Sequence, residues 1–125
     1  MDTRYQELVA ALELYFDGLY HSDTKRLGQV FHPQAIYACA TEGTLTYHTM
    51  ATYFPVVDAR PAPAASNQKR ADRIVSIEFA GPVTAVAVVN CAIGPKAFTD
   101  LLTFVKLDGR WQIMAKVFHF DLTAA

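Results

Sequence analysis

Asp108-Gly109 lies between two long runs, residues 98–107 and 110–121, in which apolar and polar side chains tend to alternate. An Asp-Gly pair between such runs is a strong signal for a β-hairpin, because both residues tolerate the positive φ angles of a tight two-residue turn. The turn also sets the register. Leu107 faces Arg110, and every further pair keeps the same index sum, provided that no bulge lies between residues 100 and 119. In that register one face carries Phe98, Asp100, Leu102, Phe104 and Lys106 opposite Trp111, Ile113, Ala115, Val117 and His119. The other carries Thr99, Leu101, Thr103 and Val105 opposite Gln112, Met114, Lys116 and Phe118. A one-residue slip would exchange the two faces.

The rest of the chain falls around this hairpin. Residues 73–80 and 83–93 read as two further strands, with turns at Gly81-Pro82 and Gly94-Pro95-Lys96. The first 20 residues read as an amphipathic helix, with Leu8, Leu12, Tyr15, Phe16 and Leu19 at spacings of three and four. Thr3 and Gln6 suit a capping box at its start, and Gly18 weakens its last turn. Ser22 or Asp23 caps a short second helix that ends at His32-Pro33, since the residue before proline avoids the helical region. Residues 35–40 and 44–48 read as short strands, and a third helix, containing Pro55, starts at Thr49. Residues 59–71 are a Pro/Ala-rich polar loop, expected to be mobile or to act as a lid. Helices first and an antiparallel meander last define an α+β fold, a curved sheet with helices on its inner face. Residues 1–125 form a single domain, the commonest size for one.

Composition narrows the function. Hydrophobic residues make up 52% and charged residues 18%, which suits a globular chain. With a net charge of −1 and no basic cluster beyond Lys69–Arg73, nucleic acid is not an expected partner. The apolar segments are short and the N-terminus lacks an apolar leader core, so no membrane is expected. Cys39 and Cys91 read as two buried thiols in a reducing compartment, which suggests a cytoplasmic protein. The four histidines show no metal-ligand spacing and no phosphate loop or nucleophile elbow appears, so neither metal nor cofactor is expected.

The candidate site comes from the hairpin. Asp100 and His119 fall on one face as diagonal neighbours, roughly 7–8 Å apart at the backbone. A carboxylate beside an imidazole at the rim of an apolar surface makes an acid/base pair, the carboxylate orienting the ring and raising its pKa. A structural hydrogen bond at the open end of the sheet would use the same residues. Tyr15, Tyr37, Tyr53, Phe54 and Phe104 supply an aromatic lining for a planar ligand, and each would serve equally as core. The opposite face is too apolar for open solvent and too polar for a core, which points to a homodimer contact.

The layout resembles the nuclear transport factor 2-like, or SnoaL-like, superfamily over nearly the whole chain. The resemblance rests on residues 15–23 (YFDGLYHSD), 27–35 (LGQVFHPQA) and 98–113 (FTDLLTFVKLDGRWQI). Within the superfamily the chain is most similar to the family described as "Putative lumazine-binding". The resemblance implies a cone-shaped fold with an apolar pocket between helices and concave sheet. Its relatives include ketosteroid isomerases, scytalone dehydratases and polyketide cyclases, so it implies no single activity. By distance from Ser22-Asp23, Tyr15 takes the place of the isomerase oxyanion donor. Cys39 takes the place of the isomerase base, a poor exchange for a carboxylate, and so joins the lining. Asp100 lies one pleat repeat from the position of the second donor, nearer to which Leu102 aligns. Asp100, His119, Tyr15 and Tyr37 or Tyr53 are the residue types of the dehydratase site.

Three readings remain: a small-molecule-binding protein, a cofactor-free lyase or isomerase using Asp100, His119 and Tyr15, and a dimeric interaction domain with a closed pocket. The first is preferred.

Overall fold

The computed structural model describes residues 2–123. Its elements, in chain order, are α1 (Arg4–Tyr20), α2 (Thr24–Val30), β1 (Phe31–Cys39), β2 (Thr46–Thr49), α3 (Met50–Ala59), a 3-10 turn (Pro63–Ser66), β3 (Arg73–Phe79), β4 (Thr84–Ile93), β5 (Lys96–Leu107) and β6 (Arg110–Leu122). One six-stranded sheet has the order β2-β1-β6-β5-β4-β3. All neighbours are antiparallel except β1 and β6, which run parallel. The helices cover the concave face, as an α+β fold requires.

Local chemistry explains most element ends. Asp108 and Gly109 have φ of 51° and 78°, the paired positive values of a tight hairpin turn. Asp23 caps α2, accepting from the amides of Lys25 (3.0 Å) and Arg26 (3.2 Å). The capping box expected at α1 does not form, because Thr3 Oγ1 donates instead to Glu7 Oε1 at 2.6 Å. Thr52 Oγ1 plays the corresponding part in α3 and accepts the Thr49 amide at 3.1 Å. Residues 59–71 are not a free loop. Gln68 bonds Gly94 twice, through Nε2 to its oxygen (3.1 Å) and through Oε1 to its amide (2.9 Å). Tyr20 Oη donates to the Gln68 oxygen at 2.7 Å, so the segment is tied to both α1 and the β4–β5 turn.

The core joins Leu8, Leu12 and Tyr15 of α1 to Leu27, Phe31, Val89, Leu102, Phe104 and Ile113. Burying each such side chain is worth about 1.5–3 kcal/mol before entropy is counted. Gly18 is part of this packing rather than a weak point in α1. A Cβ there would lie 2.6 Å from Leu27 Cδ2 and 2.8 Å from Leu27 Cγ, and Leu27 is fully buried. Gly18→Ala is therefore expected to lower stability by about 1–3 kcal/mol, although alanine is the better helix former. Chemical denaturation checks this, and a stabilised variant would show that Leu27 can move aside.

The expected hairpin register holds from Leu107↔Arg110 only to Phe104↔Ile113. The next pair is Thr103↔Ala115, so Met114 is an extra residue and β6 carries a bulge. Beyond it every β6 side chain changes face. Lys116 and Phe118 turn inward and are buried, whereas Val117 and His119 turn outward and are exposed.

Candidate functional site

The bulge decides which groups meet inside the cone. Asp100 on β5 is fully buried, and Tyr15 on α1 donates to its Oδ2 at 2.5 Å. Cys91 on β4 points its thiol at the same oxygen, 3.8 Å away. Lys116, 4% exposed, places Nζ 4.0 Å from Oδ2. The ammonium is boxed by the rings of Phe118, Tyr15, Tyr37 and Tyr53, with centroids 5.1–5.5 Å away. Such contacts offset part of the cost of burying a cation. Asp100 Oδ1 is buried and has no partner among the described residues.

The expected Asp100–His119 pair does not form. His119 lies on the convex face, 58% exposed, with Nε2 2.9 Å from Asp121 Oδ1 and Nδ1 3.0 Å from Thr41 Oγ1. Phe120 takes the place opposite Phe98 that the unbulged register gives to His119, and Lys116, opposite Leu102, reaches Asp100 from the other diagonal. Tyr15, which the resemblance puts forward as a hydrogen-bond donor, does meet Asp100.

The electrostatics of the cluster fix its protonation. Burial, with the Asp100 charge adjacent, drives the Tyr15 phenol well above its ordinary value, so it remains a neutral donor. Burial pulls Lys116 toward the neutral amine, but Tyr53 and Asp100 outweigh it and hold the group above its usual value as an ammonium. Such a lysine is a fixed charge and not a ready imine-forming amine. Burial, then Asp100, pushes the Cys91 thiol up to about 12, so it is no nucleophile. Cys91 and Lys116 thus both have folded pKa values above their unfolded ones. Stability from each is complete below the unfolded value and fades as pH climbs through the folded one. The melting temperature is expected to fall from about pH 9 upward, and Cys91→Ala to flatten the slope between about pH 9 and 12. Thermal unfolding across that range checks it, and an unchanged slope in Cys91→Ala would contradict it.

A cavity of about 640 Å³ opens in front of the cluster. Tyr37 and Cys39 of β1, Phe98 of β5, and Phe118 and Phe120 of β6 form its walls, and residues 60–68 close one side. Tyr37 and Phe118, with centroids 4.8 Å apart, separate it from Lys116. Of the residues expected to line a pocket, Tyr37 and Cys39 do so. Tyr53 stands behind Tyr37 with ring centroids 4.5 Å apart, and Phe104 is fully buried core. Phe54 faces a separate shallow groove with Gly28, Phe31 and Met50.

Lys116 and Arg60 are the important groups absent from the sequence-derived candidates. Alternation placed Lys116 outside, and the bulge that reverses it has no marker such as a glycine at Met114. Arg60 sat in a segment read as loop. Among the described residues no three His, Cys, Asp or Glu side chains gather to hold a metal ion. No helix there is long and apolar enough to cross a membrane.

A cone of three helices over a six-stranded mixed sheet, with a cavity at its open end, defines a nuclear transport factor 2-like protein. Solved structures agree on the fold. An NTF2-like protein of unknown function from Shewanella baltica superposes with a TM-score of 0.86 at 24% identity, covering 97% of this chain and 96% of that one. Another from Silicibacter pomeroyi gives 0.84 at 24% identity, covering 97% and 100%. Residues 3–119 match the profile of the family described as "Putative lumazine-binding", and the chain belongs to that family. It is also similar to a Cladobotryum protein named aldolase FrzH, 25% identical over 119 residues, which are 94% of this chain and 91% of that protein.

Proposed function

We propose that this protein binds a small, partly aromatic molecule in the cavity between the 60–68 segment and the concave sheet. The observation that carries this reading is the cavity itself: about 640 Å³, walled by Tyr37, Phe98, Phe118 and Phe120, with Arg60 and Lys96 among its lining. Ligand sites of this size combine an apolar body with a few polar groups that set orientation. Native mass spectrometry of freshly purified protein tests it. A defined extra mass is expected on the wild type and not on Ala65→Trp, whose indole would intrude on the cavity. An added mass retained by Ala65→Trp would place the ligand elsewhere.

The buried cluster supports a second, enzymatic reading, a cofactor-free lyase or isomerase acting on a carbonyl compound. Its similarity to a protein named an aldolase points the same way. In this reading Asp100 takes a proton from the carbon beside the carbonyl, and the C–H electron pair moves toward oxygen. A tyrosine phenol, Tyr15 or Tyr37, donates to the developing enolate, and the Lys116 ammonium balances its charge. The substrate reaches Asp100 only when the Tyr37 and Phe118 rings part. Deuterium uptake from D₂O at the α-carbon of 2-tetralone, followed by NMR, tests it. Acceleration by the wild type and none by Asp100→Asn is expected, and no acceleration by the wild type contradicts this chemistry.

The convex face suits a second copy of the chain. Leu101 (47% exposed) and Val117 (44% exposed) lie there among Val86, Val88 and Thr103, and the bulge has removed Lys116 from it. A twofold pairing would bring these apolar side chains together. The buried free thiols of Cys39 and Cys91 suit a reducing compartment such as the cytoplasm.

A further inference from the structure

We infer that Cys39 is a nucleophile in the cavity wall, served by a proton relay through Thr41 to His119, and that it adds to a small aromatic α,β-unsaturated carbonyl compound. The inference rests on the cavity being a ligand site and names the class of ligand.

Four side chains form the relay. Cys39, the last residue of β1, lines the cavity, and its thiol donates to Thr41 Oγ1 at 3.4 Å. Thr41 Oγ1 lies 3.0 Å from His119 Nδ1, and His119 Nε2 lies 2.9 Å from Asp121 Oδ1. The direction of each bond follows from what each group can do. The Asp121 carboxylate only accepts, so Nε2 carries the ring proton, and Nδ1 of the neutral ring accepts from the Thr41 hydroxyl. The Thr41 oxygen keeps two acceptor positions, one for the Cys39 thiol and one for the Phe120 amide at 3.3 Å.

A proton can move along this chain without breaking it. The thiol proton passes to Thr41 as the Thr41 proton passes to Nδ1. Thr41 then donates to the thiolate and accepts from Nδ1–H, and Asp121 balances the imidazolium. His119 is 58% exposed, so the outer end of the relay stands in water while the thiol stands in the cavity. Cys91 lacks such a chain, because its thiol faces Asp100. The thiolate is the nucleophilic form of cysteine, and addition to a conjugated double bond needs neither a leaving group nor an oxidant. Sulfur bonds to the β-carbon, and the π pair moves onto the carbonyl oxygen. The proton held on His119 returns through Thr41 to the α-carbon, so the thiol S–H has been added across the double bond. Tyr37 lies two residues before Cys39 on the same strand face and also lines the cavity. Burial raises its phenol above the ordinary value, so it offers the enolate oxygen a neutral donor. The aromatic walls supply contact for the ring of the ligand.

N-phenylmaleimide tests this, with N-phenylsuccinimide as the saturated analogue that binds without reacting. Intact mass spectrometry of the native protein follows the reaction, and peptide mapping locates the adduct. One adduct is expected on the wild type, at Cys39, and N-phenylsuccinimide should slow its formation. Thr41→Val and His119→Gln should each slow it about tenfold or more, as the loss of a positioned base predicts. Glutamine can still accept from the Thr41 hydroxyl but cannot take up the proton, so a merely structural histidine would leave the rate of His119→Gln unchanged. Thr41→Ser keeps the hydroxyl and should keep the rate. Wild-type rates in both Thr41→Val and His119→Gln, or a loss in Thr41→Ser equal to that in Thr41→Val, would overturn the relay. An adduct at Cys91 would overturn the assignment of the nucleophile. Calorimetric binding of N-phenylsuccinimide with no adduct from N-phenylmaleimide would overturn the reactive thiol and leave the cavity reading standing. Neither binding nor adduct would overturn both.

Discussion

Lys116→Met is expected to destabilise the protein by about 3–5 kcal/mol, the usual cost of removing one partner of a buried ion pair. The substitution itself is apolar and similar in length, so lost packing is a minor part of the effect. The loss arises at Asp100, which is fully buried and would keep only the Tyr15 hydroxyl and the weak Cys91 thiol as partners. With Oδ1 already unpartnered, that carboxylate has little else to balance its charge. Asp100→Leu alone should cost a comparable amount by stranding the ammonium. The double variant should recover most of the loss, because two apolar side chains of similar size satisfy each other without desolvating charge. Urea unfolding of the four proteins measures this coupling. Additive losses would mean that the two groups do not sense each other.

Deletion of Met114 together with Ala115 should abolish the cooperative unfolding transition, whereas deletion of Met114 alone should not. Without both residues Ile113 runs on to Lys116, which then falls opposite Thr103. Val117 and His119 would turn into the cone, and Lys116 and Phe118 would turn out to the convex face. The change would break the Asp100 cluster and remove Phe118 from the cavity wall together, with β1 still required to pair with β6 along Ile36–Cys39. Deletion of Met114 alone lets Thr103↔Ala115 follow Phe104↔Ile113 directly, so the pairs beyond it are kept and only the bulge is lost, at a cost of about 1 kcal/mol. Circular dichroism during heating separates the two variants. A double-deletion variant that melts sharply near the wild-type temperature would show that the register is set elsewhere.

Bulge and register also explain how far the sequence could be read. Elements tied to local chemistry were legible: the Asp108-Gly109 turn, the Asp23 cap and the apolar stripe of α1 all follow from near neighbours. The α+β arrangement follows from the order of those elements. Lys116 was not legible, because alternation carries phase forward without error only while the ladder is regular. One extra residue reverses it, and Met114 looks like any other half-buried strand position. Arg60 and residues 60–68 were hidden for a different reason. Their order comes from Gln68 and Tyr20 contacts to distant parts of the chain, which no local pattern encodes.

A charged lysine held among aromatic rings beside Asp100 is the centre of the interior, and NMR of the Lys116 ε-methylene protons tests that most directly. The faces of Phe118, Tyr15, Tyr37 and Tyr53 lie close enough to shield these protons, so their resonances should move well upfield of an exposed lysine's. They should show cross-relaxation to all four rings and keep the shift of a protonated amine through pH 10. A Lys116 methylene at the position of an exposed lysine, without contacts to those rings, would contradict the inward register. It would return His119 to the side of Asp100.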